Sequence, residues 1–221
     1  MRDTPYTPDL LTLPWYYSSE SSITTYSVDP MVAPVVVDPT GRFVLVHDLG
    51  ADVVRVFCVN PSTGLLQPTE SLAVNPGSGP RHGAFWTPRG SNSTSSGVYF
   101  YLVQELSSEL SGFRVKYSGN KTFFSKVYEG STYGKESSPT GSGATAIAIS
   151  AEKASFLGLY PAYGSSPRHF SIAPTHTMVA VALESSQSVV MGQWNNSSGA
   201  LGTLLAEKKA GWEIPSVVWD L

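Results

Sequence analysis

The chain has 221 residues, 14% of them charged, and a formal net charge of −3. That length is enough to bury a sizeable core, while the charge provides no basic stripe for a phosphate backbone, so no nucleic-acid partner is expected. The single cysteine, Cys58, excludes an intrachain disulfide framework, and the four scattered histidines show no metal-ligand spacing, so neither metal nor cofactor is expected.

No stretch reaches membrane-spanning length, and the start, Met1-Arg2-Asp3-Thr4-Pro5-Tyr6, leads into no apolar core of signal-peptide type. A soluble, cytoplasmic protein with no membrane partner is the expectation. Twenty Gly and sixteen Pro suit short strands joined by turns better than helices. Residues 1–14 read as a disordered N-terminal segment and residues 15–221 as a single, partial β-propeller domain. Residues 15–28 read as two strands around a polar turn.

The clearest unit follows. Strands are expected over 35–38, 42–46, 53–59 and 65–74, with turns at Pro39-Thr40-Gly41, at 48–52 and at 60–64. The second and third of these strands read as apolar on both faces, as in a sheet packed between sheets. Four strands with a turn between each neighbouring pair make one propeller blade. The order returns over 81–115, with the turns Thr87-Pro88 and Glu105-Leu106-Ser107-Ser108 and a Ser/Asn-rich insert at 90–97.

Residues 129–143 read as a flexible loop. A third unit begins at Ala144 and is cut short; the last, 169–194, turns at Ala173-Pro174 and again at Glu184-Ser185-Ser186-Gln187. No segment gives an amphipathic helix. The triplet Pro80-Arg81-His82 returns as Pro167-Arg168-His169, and 167 − 80 = 87 residues is two units of a forty-odd-residue repeat. The expected fold is therefore all-β, a propeller with about four blades' worth of sequence.

Six phrases in order carry a resemblance: residues 36–43 (VVDPTGRF), 48–52 (DLGAD), 77–82 (GSGPRH), 105–108 (ELSS), 167–170 (PRHF) and 211–220 (GWEIPSVVWD). Together they resemble the lactonase family of seven-bladed propellers, which includes bacterial 6-phosphogluconolactonases and fungal 3-carboxy-cis,cis-muconate cyclases. The resemblance covers roughly residues 15–221. It implies that the first blades are absent and that the third unit joins two blades across a deletion. It also implies that the closing segment of the propeller is present. Open strand edges then predict self-association.

Opening a lactone, or closing one onto an alkene, needs a cation for the substrate's carboxylate or phosphate and a group that moves a proton. Arg81 suits the first role, because a guanidinium grips an oxyanion through two parallel hydrogen bonds. Glu105 suits the second, as a carboxylate whose pKa a half-buried site raises toward neutrality. The resemblance implies that both lie in the active-site cleft. His82, Arg168 and His169 are candidate substrate-binding residues; the alternative is that they are architectural residues at a repeat position, and that Glu105, like Glu184, caps a turn. As strand neighbours, Arg81 and His82 are expected on opposite faces.

Two family positions are unmatched. Ala33 stands where the family has a catalytic histidine, and 159–163 (LYPAY) stands where it has its second active-site arginine. His47-Asp48 reads as turn chemistry and His176 as an exposed turn residue. The implied function is hydrolysis of a sugar lactone, or interconversion of a carboxymuconate and its lactone, on a small-molecule substrate. The alternative is a catalytically inactive propeller remnant that serves as a binding or interaction module.

Overall fold

The computed structural model describes residues 32–88, 97–134, 143–147, 160 and 162–219. The segment expected to be disordered over 1–14 and the two strands expected over 15–28 lie outside these residues. The described residues form thirteen strands in three antiparallel sheets, and none of them forms a helix that could cross a membrane.

The first sheet runs β1 (Val32–Val37), β2 (Phe43–Asp48), β3 (Val53–Val59), and its outer edge is two short pieces, β4 (Leu66–Pro68) and β5 (Leu72–Ala73), both paired with β3. The second runs β6 (Pro80–Trp86), β7 (Val98–Gln104), β8 (Glu109–Ser118), β9 (Lys121–Ser131). The third runs β10 (Pro167–Ile172), β11 (Met178–Leu183), β12 (Ser188–Asn195), β13 (Ala200–Lys209). Each is a meander in chain order, the construction of a propeller blade.

The turns are where local sequence dictates most. Asp38 is 3% exposed and accepts hydrogen bonds from Thr40 N (3.0 Å), Thr40 Oγ1 (2.6 Å), Arg42 N (2.9 Å) and Phe43 N (2.8 Å), so one carboxylate closes the β1–β2 turn. Gly41, at φ +70°, takes the left-handed position this turn needs. Asn60 does the same work after β3, its Oδ1 accepting from Ser62 N and Thr63 N.

Expectation and structure differ in three places. The outer strand expected over 65–74 is broken in two. β9 and β13 were not expected as strands at all, and β9 occupies the start of the segment read as a flexible loop. Finally, β2 and β3 carry apolar residues on both faces, with Val44, Val46, Val53, Phe57 and Val59 on the second, but only one face is fully buried: along each strand, buried residues alternate with half-buried ones, the period-2 signature of one face turned to a core.

That core belongs to two sheets at once. Phe43, Leu45, Val54, Val56 and Cys58 of the first sheet pack with Val98, Phe100, Leu102, Phe113 and Val115 of the second. Phe100 is its hub, with ring contacts to Phe85 at 5.0 Å and Phe124 at 6.0 Å. The third sheet has a separate, smaller cluster built on Val179, Val181, Leu183 and Val190, with Ala162, Tyr163 and Leu201 packed around it.

Candidate active site

Both Pro-Arg-His triplets open an innermost strand, and both contain a β-bulge. In the second sheet Pro80 pairs with Gln104 and His82 with Val103; in the third Pro167 pairs with Leu183 and His169 with Ala182. Arg81 and Arg168 are therefore each the extra residue of a bulge, a device that re-aims a side chain. The bulge breaks the simple alternation that was expected to send Arg81 and His82 to opposite faces.

Re-aimed in this way, each arginine meets the glutamate just beyond or after the neighbouring strand. Arg81 Nη1 donates to Glu105 Oε2 at 2.8 Å, and Arg168 Nε donates to Glu184 Oε2. The two pairs are separated by 24 and 16 residues in sequence. The difference is 24 − 16 = 8, the length of the Ser/Asn-rich insert, so the pairs are repeats of one unit.

The structure then joins the units. Arg168 Nη1 donates to the free oxygen of Glu105, Oε1, at 3.2 Å, giving a chain Arg81–Glu105–Arg168–Glu184. These side chains are 12%, 15%, 21% and 23% exposed, half-buried enough for charge-assisted hydrogen bonds to be strong. The second guanidinium sought at 159–163 is thus at Glu105 all the same, supplied by Arg168. Nothing local in the sequence signals this contact; the repeat does, because Pro-Arg-His and its glutamate occur twice in corresponding places.

The two triplet histidines also meet. His82 and His169 stack with ring centroids 5.6 Å apart. His169 Nδ1 accepts from Val217 N at 3.3 Å, and Trp219 Nε1 donates to Ser171 O at 2.9 Å, so the closing segment is strapped along β10. Gly143 passes so close to Glu105 that a Cβ on it would stand 2.8 Å from Glu105 Cγ, and Thr145 Oγ1 donates to the Pro167 carbonyl. Gly143, Thr145 and Glu184 complete the surroundings of the site; of these, the sequence pointed only to Glu184.

His47 and Asp48 do not form an acid–base pair. Asp48 accepts from Arg55 Nε (2.9 Å) and Nη2 (2.8 Å) and from Ala51 N, the turn chemistry expected, and His47 is buried against Phe100. His176 is exposed in a turn. Among the described residues no group of His, Cys, Asp and Glu could hold a metal ion.

Burial, with the neighbouring His169, His47 and Arg81 adding to it, lowers the pKa of His82 from 6.5 to about 4; burial lowers that of His169 as well. The folded chain thus keeps the stacked pair neutral, while the unfolded chain protonates it near pH 6.5. The stability this contributes is present above pH 6.5 and is lost as pH falls toward 4. Thermal melts between pH 7 and pH 5, above most carboxylate titrations, are expected to show a falling melting temperature. In His82→Gln the slope is expected to be shallower, and an equal slope would contradict this origin.

A family model described as lactonase, 7-bladed β-propeller, matches residues 29–158 and again residues 151–218. The chain belongs to this lactonase family. A 6-phosphogluconolactonase of Formosa agariphila is 26% identical over 188 residues, a match covering 75% of this chain and 51% of that protein. Among solved structures, the periplasmic gluconolactonase PpgL of Pseudomonas aeruginosa superposes with a TM-score of 0.65 at 24% identity, covering 82% of this chain and 55% of that one. A protein from Lactobacillus plantarum gives 0.63 at 24%, covering 84% and 57%. At that identity the likeness is one of fold. This lactonase-family chain spans about half the length of these three proteins.

Proposed function

We propose that this chain hydrolyses a sugar lactone carrying an anionic group, in the manner that the name of its Formosa agariphila relative implies. The observation that supports this reading is one carboxylate, Glu105, flanked by two guanidiniums delivered from different sheets. Glu105 takes a proton from water as the water oxygen attacks the lactone carbonyl carbon. Arg81 faces the oxyanion that forms there. The carbonyl carbon–ring oxygen bond then breaks, Glu105 returns the proton to the leaving oxygen, and the product is the hydroxy acid. Since the family's histidine is Ala33 here, Glu105 is the proton carrier assigned to this chain. His82, Arg168 and His169 line the substrate side.

The test is proton release from glucono-1,5-lactone and from its 6-phosphate, corrected for spontaneous opening. Arg81→Ala and Glu105→Gln are each expected to lower kcat/KM by about 100-fold, the scale of losing an oxyanion donor or a general base, with circular dichroism unchanged. Turnover at background level, or turnover equal in the variants, overturns the reading. Cyclisation of 3-carboxy-cis,cis-muconate without lactone hydrolysis would place the chain with the cyclases instead.

A further inference from the structure

The charged groups at the site are paired with one another. Arg81 Nη1 is on Glu105 Oε2, Arg168 Nη1 is on Glu105 Oε1, and Arg168 Nε is on Glu184. Two cations face two carboxylates, and both oxygens of Glu105 are occupied. An oxyanion that takes two parallel bonds from Arg168 therefore competes with Glu105 for Nη1, and a proton placed on Glu105 in this state forfeits two ion pairs at once.

Three features single out Arg168 as the contact that gives way. Its bond to Glu105 is the longer, 3.2 Å against 2.8 Å for Arg81. Its side chain is the more exposed, 21% against 12%. It also remains held by Glu184 through Nε when Nη1 leaves Glu105, so the swing does not strand a cation. A single Nη1 contact is a poor use of a guanidinium; an oxyanion with several oxygens offers two parallel bonds in its place.

We propose that Arg168 is a latch operated by the substrate's own anion: a phosphoryl group draws Arg168 Nη1 off Glu105 and frees Glu105 Oε1 to accept the proton of the attacking water. This rests on the lactonase reading above and adds to it a condition for activity. A lactone with no anionic group meets a base held in two ion pairs, and a separate oxyanion at Arg168 releases one of them.

Two measurements test this, with inorganic phosphate as the probe and ionic strength held constant with chloride. In the first, hydrolysis of uncharged glucono-1,5-lactone is followed as phosphate is added, after subtracting phosphate's own catalysis in solution. The expected result is a saturable rise in kcat/KM of about tenfold (~1.4 kcal/mol) that is absent in Arg168→Met. A flat response in a chain that does hydrolyse the lactone overturns the latch and leaves the lactonase reading standing. The second needs no turnover: phosphate binding is measured by calorimetry. Glu105→Gln removes the competing carboxylate and is expected to bind phosphate about tenfold more tightly than the unmodified chain, a gain that a misfolded variant would not give, whereas Arg168→Met is expected to lose binding. Unchanged or weaker binding in Glu105→Gln overturns the latch. Tighter binding in a chain without lactone turnover supports the exchange at Arg168 and sinks the lactonase reading.

Discussion

Gly83→Ala is expected to cost about 3 kcal/mol, at the upper end of overpacking penalties, and so to lower the melting temperature by roughly 6–12 °C for a chain of this length. A Cβ at Gly83 would stand 2.3 Å from two ring carbons of Phe100 and 2.7 Å from Nε2 of His47. Both neighbours are 0% exposed. The Phe100 ring is also wedged between Phe85 and Phe124, so it has no free direction in which to move. The corresponding position after the second triplet is Phe170, which packs against the third sheet's own cluster; glycine is required by Phe100 and not by the repeat. Thermal unfolding of Gly83→Ala alone and in a Phe100→Leu background checks the cause. The alanine should cost clearly less in the second setting, and equal costs would place the strain elsewhere.

Asp38→Ala is expected to be comparably damaging, by about 3–4 kcal/mol. Its carboxylate satisfies three backbone N–H groups and the Thr40 hydroxyl, and a buried donor left without a partner costs about 1–3 kcal/mol. Phe43 N, the most deeply placed of these donors, starts a strand whose side chain is wholly buried in the shared core. Tyr117 is tied to the same place: burial first, and then the negative charge of Asp38, push its phenol above the usual tyrosine range. Asp38→Asn keeps one acceptor oxygen and should lose roughly half as much. Urea denaturation of the two variants distinguishes them, and a near-neutral Asp38→Ala would show that water replaces the carboxylate.

What the sequence made legible was set by local chemistry. The turns closed by Asp38 and Asn60 could be read because their residues bond to their own backbone two to five positions on. β2, β3, β7 and β8 could be read because they carry the shared core, and a core strand must be apolar. β9 and β13 were missed because they are outer strands. Most of their residues are exposed, so nothing forces an alternating pattern, and with Lys121, Lys126, Glu129, Glu207, Lys208 and Lys209 among them they give no strand signal.

The site divides along the same line. Arg81 and Glu105 were visible as charged residues interrupting apolar strands, and the structure pairs them. The contact between Glu105 and Arg168 spans 63 residues and depends on where a different sheet is placed, which no window of sequence encodes. The bulge at Arg81 was not legible for a simpler reason: alternation holds only in an unbroken ladder, and a bulge leaves no mark in composition.

The bulges have a consequence for how such a site arises in a gene. Without Arg81, Pro80 and His82 would be successive residues opposite Gln104 and Val103; without Arg168, Pro167 and His169 would be successive opposite Leu183 and Ala182. In both places the ladder would close without a gap, because a bulge adds a residue and takes no partner. A single-codon insertion or deletion can therefore give a blade its guanidinium or take it away while the strand keeps its register. Lineages of this fold can gain, move or abandon an anion site from blade to blade without rebuilding the blade that carries it.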